Sequence, residues 1–423
     1  MPRDPVESAT LKNGMKILVE EDHTIPTVAL YFFFRVGSRN ERPGITGLSH
    51  FFEHMMFNGS RKYGPGEFDR QMEKSGGSNN AYTNKDTTVY TDWFPPTALE
   101  LMMDMEADRM ANLTLGPKSV ESERGVVYSE RRLRVDNENQ GALFEQVNAA
   151  AFTAHPYHWP VIGWPSDIES WTQKDLAEYY KEGYAPNNCI MVAVGDISAA
   201  NVFALARKHF EPIPAHETFA DPKTEEPVQR GERVVHLKKE SELPLLMLAF
   251  HMPPSRSADN PAIELIEAIL ATGESSRFQS RLVDKEQVAL NVEAYDEPSL
   301  DPYLLLISIQ PRAGVTVDRL QALTLAELER LSTMPVSEAE LRKAKNQWLA
   351  AHYRQMKTVS GRANLLGTYE VFYGGYQKLF SEPKDIEKVT SADIQRVAKD
   401  LFREENRTVG ILDAQPAVPQ ATR

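Results

Sequence analysis

The feature that most constrains this chain is that its two halves open in the same way. The first half begins with two strand-like runs, "MKILVEE" (15–21) and "TVALYFFFRVGS" (27–38), then a helical stretch ending in "FNG". The second begins with "ERVVHLKKE" (232–240) and "PLLMLAFHMPPSRSADN" (244–260), then the helical "PAIELIEAILATG" (261–273). Strand residues alternating or running apolar, followed by helical periodicity, imply a sheet with helices packed on it. The segment between the halves, "PIPAHETFADPKTEEPVQRG" (212–231), is polar, acidic and Pro-bearing, and reads as a linker. The expectation is an α+β protein of two homologous α/β domains, 1–211 and 232–423. With 423 residues in all, each half is large enough to bury its own core.

Within the first half, "VALYFFFRV" (28–36) reads as a buried strand, and "SNNAYTNKDTTVYTDWF" (78–94), rich in Thr and Tyr, alternates like a strand. A long helix is expected from about Ser119 into the 150s. "NNCIMVAVGDI" (187–197) is another buried strand, and three helical stretches are expected to close the second half.

Composition narrows the function. The net charge of −13 argues against nucleic acid or an anionic membrane as partner. A single cysteine, Cys189, excludes an intramolecular disulfide and a cysteine-rich metal site; in "NNCIMVAV" it reads as a buried strand residue. No apolar run approaches a membrane span, and the N-terminus has no signal-peptide core, so the chain is expected in the cytosol or after removal of a signal.

The chemistry concentrates in "TGLSHFFEHMMFNGS" (46–60). On a helix, Leu48, Phe51, Phe52, Met55 and Met56 share one broad face. His50 and His54 stack on the opposite face with Glu53 beside them. Imidazoles at i and i+4 can share a zinc ion, and H-x-x-E-H is the inverted zinc motif. Its glutamate is placed to take a proton from a metal-activated water. The plain alternative is a solvated polar face. A third ligand is available in "PKSVESERGVVYSERRLRVDN" (117–137), where Glu123 and Glu130 lie two turns apart and Val126, Val127 and Leu133 supply apolar neighbours. Residue types alone leave Glu121, Glu123 and Glu130 open, and Glu130 could instead pair with Arg131 or Arg134.

These motifs resemble the pitrilysin/insulinase family of zinc metallopeptidases, which includes the mitochondrial processing peptidase and its bacterial relatives. The resemblance covers nearly the whole chain, through "LKNGMKILVEED", "GLSHFFEHMMFNGS", "GGSNNAYTNKDTTVY", "ESERGVVYSERR", "HPYHWPVIGWPSDI" and "YAPNNCIMVAVGDI". It implies two domains, each a mainly antiparallel sheet packed with helices, forming half of a clamshell. It implies one zinc ion per chain on His50, His54 and Glu130, with Glu53 as general base and Glu123 supporting the ligands. Asn80, Ala81 and Tyr82 would lie on the edge strand that takes the peptide substrate. The activity implied is endopeptidase cleavage of peptides or unfolded segments inside a closed chamber.

The family also supplies an Arg and a Tyr, seven apart, from its second half. The matching stretch here is "LVDKEQVALNV" (282–292), which places Val283 and Leu290 at those positions. Neither can donate a hydrogen bond. Arg281 and Tyr295 are near but out of register. The resemblance therefore implies a heterodimer whose homologous partner supplies the pair, in a periplasmic setting or alternatively a cytoplasmic one. The competing expectations are a self-sufficient homodimeric peptidase and a non-catalytic scaffold subunit. His155 and His158 read as a structural turn, and the methionines at 102, 103, 105 and 110 as core.

Overall fold

The computed structural model describes residues 5–415. The chain divides into two compact units, and neither is one continuous stretch. The first gathers the residues up to Glu130 with Trp159–Thr224 and Arg354–Leu379; the second gathers Arg131–His158, Glu225–Tyr353 and the residues from Phe380 on.

The first unit is built on six strands: β1 (Val6–Thr10), β2 (Lys16–Glu21), β3 (Val28–Phe34), β4 (Ser78–Thr83), β5 (Thr88–Phe94) and β6 (Cys189–Gly195). Their order is β1-β2-β6-β3-β5-β4, and only β2 and β6 pair in parallel. The second unit carries β7 (Arg233–Glu240), β8 (Leu245–Met252), β9 (Ala289–Tyr295), β10 (Tyr303–Pro311) and β11 (Arg407–Gln415), in the order β7-β11-β8-β10-β9. Again only β7 and β11 are parallel. Without β1, the two sheets have the same topology, so the loose repeat seen in the sequence is a repeat of architecture, and each sheet is mainly antiparallel.

Both sheets are buried on two faces, which is why β3 and β8 read as apolar runs rather than alternations. Leu30, Phe32 and Phe34 enter the main core of the first unit, with the methionines 102, 103, 105 and 110. On the other face Phe33 lies under the helix Val359–Phe372, so closely that a Cβ on Gly367 would stand 2.0 Å from its ring. The second unit repeats the device. Leu246, Leu248 and Phe250 face one core, while Met247 and Ala249 meet Leu143 and Val147 of the helix Asn139–Ala151. A Cβ on Gly410 would lie 2.2 Å from Val147. The helix covering the second face of each sheet is thus drawn from the opposite half of the chain.

This exchange explains one departure from expectation. The long helix expected from Ser119 is interrupted: Pro117–Arg131 passes into a π-helical turn, Arg132–Asp136, and the helix Asn139–Ala151 starts anew. The Glu138 carboxylate accepts from the Gly141 amide to cap the new helix, and Gly141 packs where any Cβ would strike the Arg134 carbonyl. The end of the chain also differs. Among the described residues five helices, not three, follow β10, and "RTVGILDAQ" forms β11, a central strand whose short apolar run lies behind the polar "REEN". Cys189 is a buried free thiol, as expected. Among the described residues, no helix is long and apolar enough to cross a membrane.

Candidate metal centre

The site is built on the helix Leu48–Met55, whose placement is fixed before any ligand is considered. Leu48, Phe51, Phe52 and Met55 are fully buried and Met56 nearly so. The helix begins at Gly47, at φ +90°, where a Cβ would stand 2.5 Å from the Ile162 carbonyl and 2.9 Å from Gly163. The buried carboxylate of Glu41 caps it, accepting from the Gly47 and Ser49 amides at 2.7 and 2.8 Å. Burial pushes that carboxyl up to about 8 against the pull of the two amides. Asp167 accepts from the Gly44 and Thr46 amides and the Thr46 hydroxyl, clamping the entry loop. Tyr90 and Tyr184 donate to the Phe52 and Ser49 carbonyls at 3.1 and 3.2 Å.

With its apolar face pinned, the helix presents His50 and His54 one turn apart, ring centroids 4.7 Å from each other. Glu130, near the end of the helix Pro117–Arg131, places Oε2 3.5 Å from His50 Nε2 and 3.2 Å from His54 Nε2. One ligand atom from each of the three residues lies within 4.8 Å of the others, and among the described residues no other group of three His, Cys, Asp or Glu side chains does this. Two imidazoles and one carboxylate with a fourth direction open form the donor set that zinc takes at catalytic sites, so the residues present fit that ion.

The three glutamates differ in position. Glu121 lies at the surface beside Arg124. Glu123 is not in the cluster but supports it: His54 Nδ1 donates to Glu123 Oε1 at 2.8 Å, and Asn58 Nδ2 donates to Glu123 Oε2 at 2.7 Å. Such a carboxylate fixes the imidazole tautomer and turns Nε2 toward the shared point. Burial would lower His54, but its hydrogen bonds to Glu123 and Glu130 outweigh that and push it up to about 9. Glu123 is held low, first by His54. The Arg131 guanidinium bonds the Glu145 carboxylate at 2.7 and 2.9 Å. Of the expected apolar neighbours, Val127 is buried, but Val126 and Leu133 are exposed, because the helix turns that face outward.

Glu53 lies beside the cluster, and Thr83 Oγ1 donates to its Oε2 at 2.6 Å. Thr83 ends β4, the edge strand that carries Asn80, Ala81 and Tyr82. Side chains alternate along β4, with Asn80 and Tyr82 exposed and Ala81 half-buried. The Tyr82 hydroxyl donates to Asn364 Oδ1 at 3.0 Å. Sequence reasoning missed Asn58, Thr83 and Asn364. Asn58 sits one turn past His54, a spacing that could have flagged it; Asn364, 282 residues from Tyr82, leaves no local signal.

In the second unit, Val283 is packed into the core and Leu290 is half exposed on β9. Arg281 bonds Glu327 at 3.2 Å. His155 faces Asp301 and His158 Nδ1 donates to the Phe152 carbonyl at 2.7 Å, in the turn Pro156–His158.

The doubled α+β sheet architecture carries on one half a His–His–Glu cluster that could hold a metal ion. Comparison with known proteins agrees. Residues 16–163 match the family profile described as "Insulinase (Peptidase family M16)", and residues 170–348 match "Peptidase M16 inactive domain". Zinc protease PqqE of Helicobacter pylori (strain ATCC 700392 / 26695) is 32% identical over 410 residues, covering 96% of this chain and 92% of that protein. The mitochondrial-processing peptidase subunit beta of Blastocladiella emersonii is 25% identical over 420 residues, 98% of this chain and 90% of that one. The crystal structure of a protease from Helicobacter pylori superimposes with a TM-score of 0.93 at 31% identity, covering 96% of this chain and 99% of the other. The chain belongs to peptidase family M16, the pitrilysin/insulinase family.

Proposed function

We propose that the protein is a zinc-dependent endopeptidase acting on peptides or unfolded segments. The observation that carries this reading is the convergence of His50, His54 and Glu130 with Glu53 alongside on the same helix face. His50, His54 and Glu130 would hold one zinc ion, which supplies Lewis-acid polarisation of a scissile carbonyl and acidifies water. Glu53, steadied by Thr83, takes the proton of the attacking water and returns it to the leaving amine. Glu123 and Asn58 keep His54 oriented. An extended peptide adds to the free edge of β4 at Asn80, Ala81 and Tyr82, a mode that reads backbone more than side chains.

The donors that would stabilise the oxyanion come, on this reading, from a homologous partner subunit in a closed, clamshell-like heterodimer. One observation favours that over a self-sufficient homodimer: Val283 and Leu290 carry no donor. The intact Glu53 and cluster favour a peptidase over a scaffold. A periplasmic location is proposed with it, and cell fractionation tests that directly. The test of function is zinc content and peptide hydrolysis of the purified chain, alone and mixed with a partner carrying the Arg/Tyr pair. One zinc per chain with activity only on mixing is expected. Near-normal turnover by the chain alone removes the heterodimer, and neither zinc nor activity in any mixture removes the enzyme.

A further inference from the structure

In the core of the first unit, the helix Leu99–Asn112 and β5 bring together charged groups that the proposed reaction does not use. Asp92, Glu106 and Arg109 are 1%, 2% and 3% exposed. Glu106 and Arg109 form a two-pronged pair: Arg109 Nε donates to Glu106 Oε2 at 2.9 Å, and Nη2 donates to Oε1. Both Asp92 oxygens are buried, and among the described residues none donates to them. Burial, then Glu106, hold this carboxyl well above the usual carboxylate range, against the pull of Arg109. A carboxyl in that state keeps its proton, so it brings no second negative charge to the guanidinium. Replacing a buried ion pair by apolar residues is often neutral or stabilising, so stability alone does not explain the pair.

Its surroundings do. The Arg109 guanidinium lies over three rings, 4.2 Å from the centroid of Phe68, 4.4 Å from that of Tyr90 and 5.1 Å from that of Phe57. Each ring belongs to an element that builds the metal centre. Phe68 is on the helix Glu67–Lys74. Tyr90 is on β5 and donates to the Phe52 carbonyl of the motif helix. Phe57 lies just past the end of the motif helix, and its neighbour Asn58 donates to Glu123 Oε2 at 2.7 Å. Glu123 in turn accepts from His54 Nδ1 at 2.8 Å. A continuous path thus runs from the guanidinium through Phe57 and Asn58 to the carboxylate that turns a ligand imidazole. The same helix holds the next stretch of chain, where Asp108 Oδ2 accepts from the Ser60 hydroxyl at 2.6 Å and the Lys62 amide at 2.7 Å. A Lys ammonium would keep the charge but not the planar face that the rings share.

Resting on the zinc peptidase reading above, we infer that Arg109, locked by Glu106, is a positioning residue for the metal centre, fixing Phe57 and, through Asn58 and Glu123, the orientation of His54. The experiment is competition for zinc against a chromophoric chelator, with a thermal melt to confirm folding. It compares full-length wild type, Arg109→Lys, Phe57→Leu, Asn58→Ala, and Asn58→Ala combined with each of the first two. Phe57→Leu leaves the ion pair whole, so it decides the matter if Arg109→Lys does not fold. Each single change is expected to weaken zinc binding about tenfold. The double variants are expected to lose no more than either single, because both changes release the same carboxylate. A role confined to core packing would lower the melting midpoint and leave the zinc affinity of the folded protein unmoved. Wild-type zinc affinity in folded Arg109→Lys and Phe57→Leu therefore overturns the inference, and so do double variants that multiply to about a hundredfold. Peptide hydrolysis by wild type, with the partner present if turnover requires it, separates the two readings. Weakened zinc in the variants with no hydrolysis by wild type keeps the role of Arg109 and discards the peptidase; hydrolysis with zinc affinity unmoved does the reverse. Wild type that binds no zinc removes both.

Discussion

Glu123 offers the sharpest test of the metal centre, because it touches the cluster without belonging to it. Its carboxylate accepts from His54 Nδ1 at 2.8 Å and from Asn58 Nδ2 at 2.7 Å. In Glu123→Ala both donors lose their acceptor, and the His54 ring is free to take the other tautomer or to rotate. A hydrogen bond to a charged group is worth about 1.5–3 kcal/mol. Loss of a carboxylate that orients a histidine ligand costs roughly 10–100-fold in metal affinity, or about 1.4–2.7 kcal/mol, and the two figures agree. Glu123→Gln should lose much less, because the Gln oxygen still accepts from Nδ1 and Asn58 can turn its amide to accept from the new NH2. The assay is competition for zinc against a chromophoric chelator, with a thermal melt to confirm folding. The expected order of affinity is wild type, then Gln, then Ala. Folded Glu123→Ala that holds zinc as tightly as wild type refutes the orienting role.

Three further outcomes are expected. Glu53→Gln keeps the Thr83 hydrogen bond and zinc, but lowers kcat by about 10²–10⁴-fold or more; substantial turnover in peptide assays argues that another group is the base. Gly47→Ala, at φ +90° with a backbone carbonyl 2.5 Å from the new Cβ, should cost at least about 2 kcal/mol and lower the thermal midpoint along with zinc retention. Glu264 is half-buried at the surface of the helix Asn260–Ala271, and desolvation raises its carboxyl from 4.5 to about 8. Between those values the folded state holds a proton that the unfolded state has released, so stability from this group is present at low pH and is lost as pH rises toward 8. Glu264→Gln should therefore flatten the fall of the thermal midpoint between pH 5 and 8, by a few kcal/mol of stability across the interval; parallel curves for the two proteins exclude that origin.

What the sequence could show was local. The motif helix has an apolar stripe and a polar edge at 3.6-residue spacing, so its buried face and its paired histidines were readable directly. The carboxylate 76 residues later was not, since facing helices leave no periodic trace; geometry separates Glu130 from Glu121 and Glu123, and resemblance had to do so beforehand. The break at Asn137–Glu138 does carry a local signal, since the Asp, Asn and Gly residues of "DNENQG" (136–141) are poor helix formers, and the close packing of Gly141 against Arg134 shows why the chain turns. The exchanged helices were invisible for the same reason as Asn364: their partners are fixed by the tertiary path, not by spacing. The strand β11 illustrates the limit of apolar runs, because its short "VGIL" core resembles any buried segment until it pairs with β7 and β8.

The repeat also explains why one half carries a metal cluster and the other does not. The motif helix is followed by Gly59 (φ +106°) and its counterpart, Asn260–Ala271, by Gly273 (φ +81°). Aligning these glycines gives an offset of 273 − 59 = 214, which matches buried Leu48, Phe51, Phe52, Met55 and Met56 with buried Ala262, Leu265, Ile266, Ile269 and Leu270. On the same offset His50 becomes Glu264, Glu53 becomes Glu267 and His54 becomes Ala268. Packing has been kept while the chemistry has been exchanged. Glu264 accepts from Asn260 Nδ2 at 2.7 Å and from the Trp348 indole, and burial raises it. Glu267 is raised by burial and by its neighbour Asp296. Glu264 is committed to Asn260 and Trp348, Glu267 lies beside Asp296, and alanine offers no ligand atom. A helix of the same shape, with the same apolar face buried, thus carries a potential metal site in one unit and two half-buried glutamates in the other. That contrast locates the proposed zinc chemistry in three side-chain identities rather than in the fold.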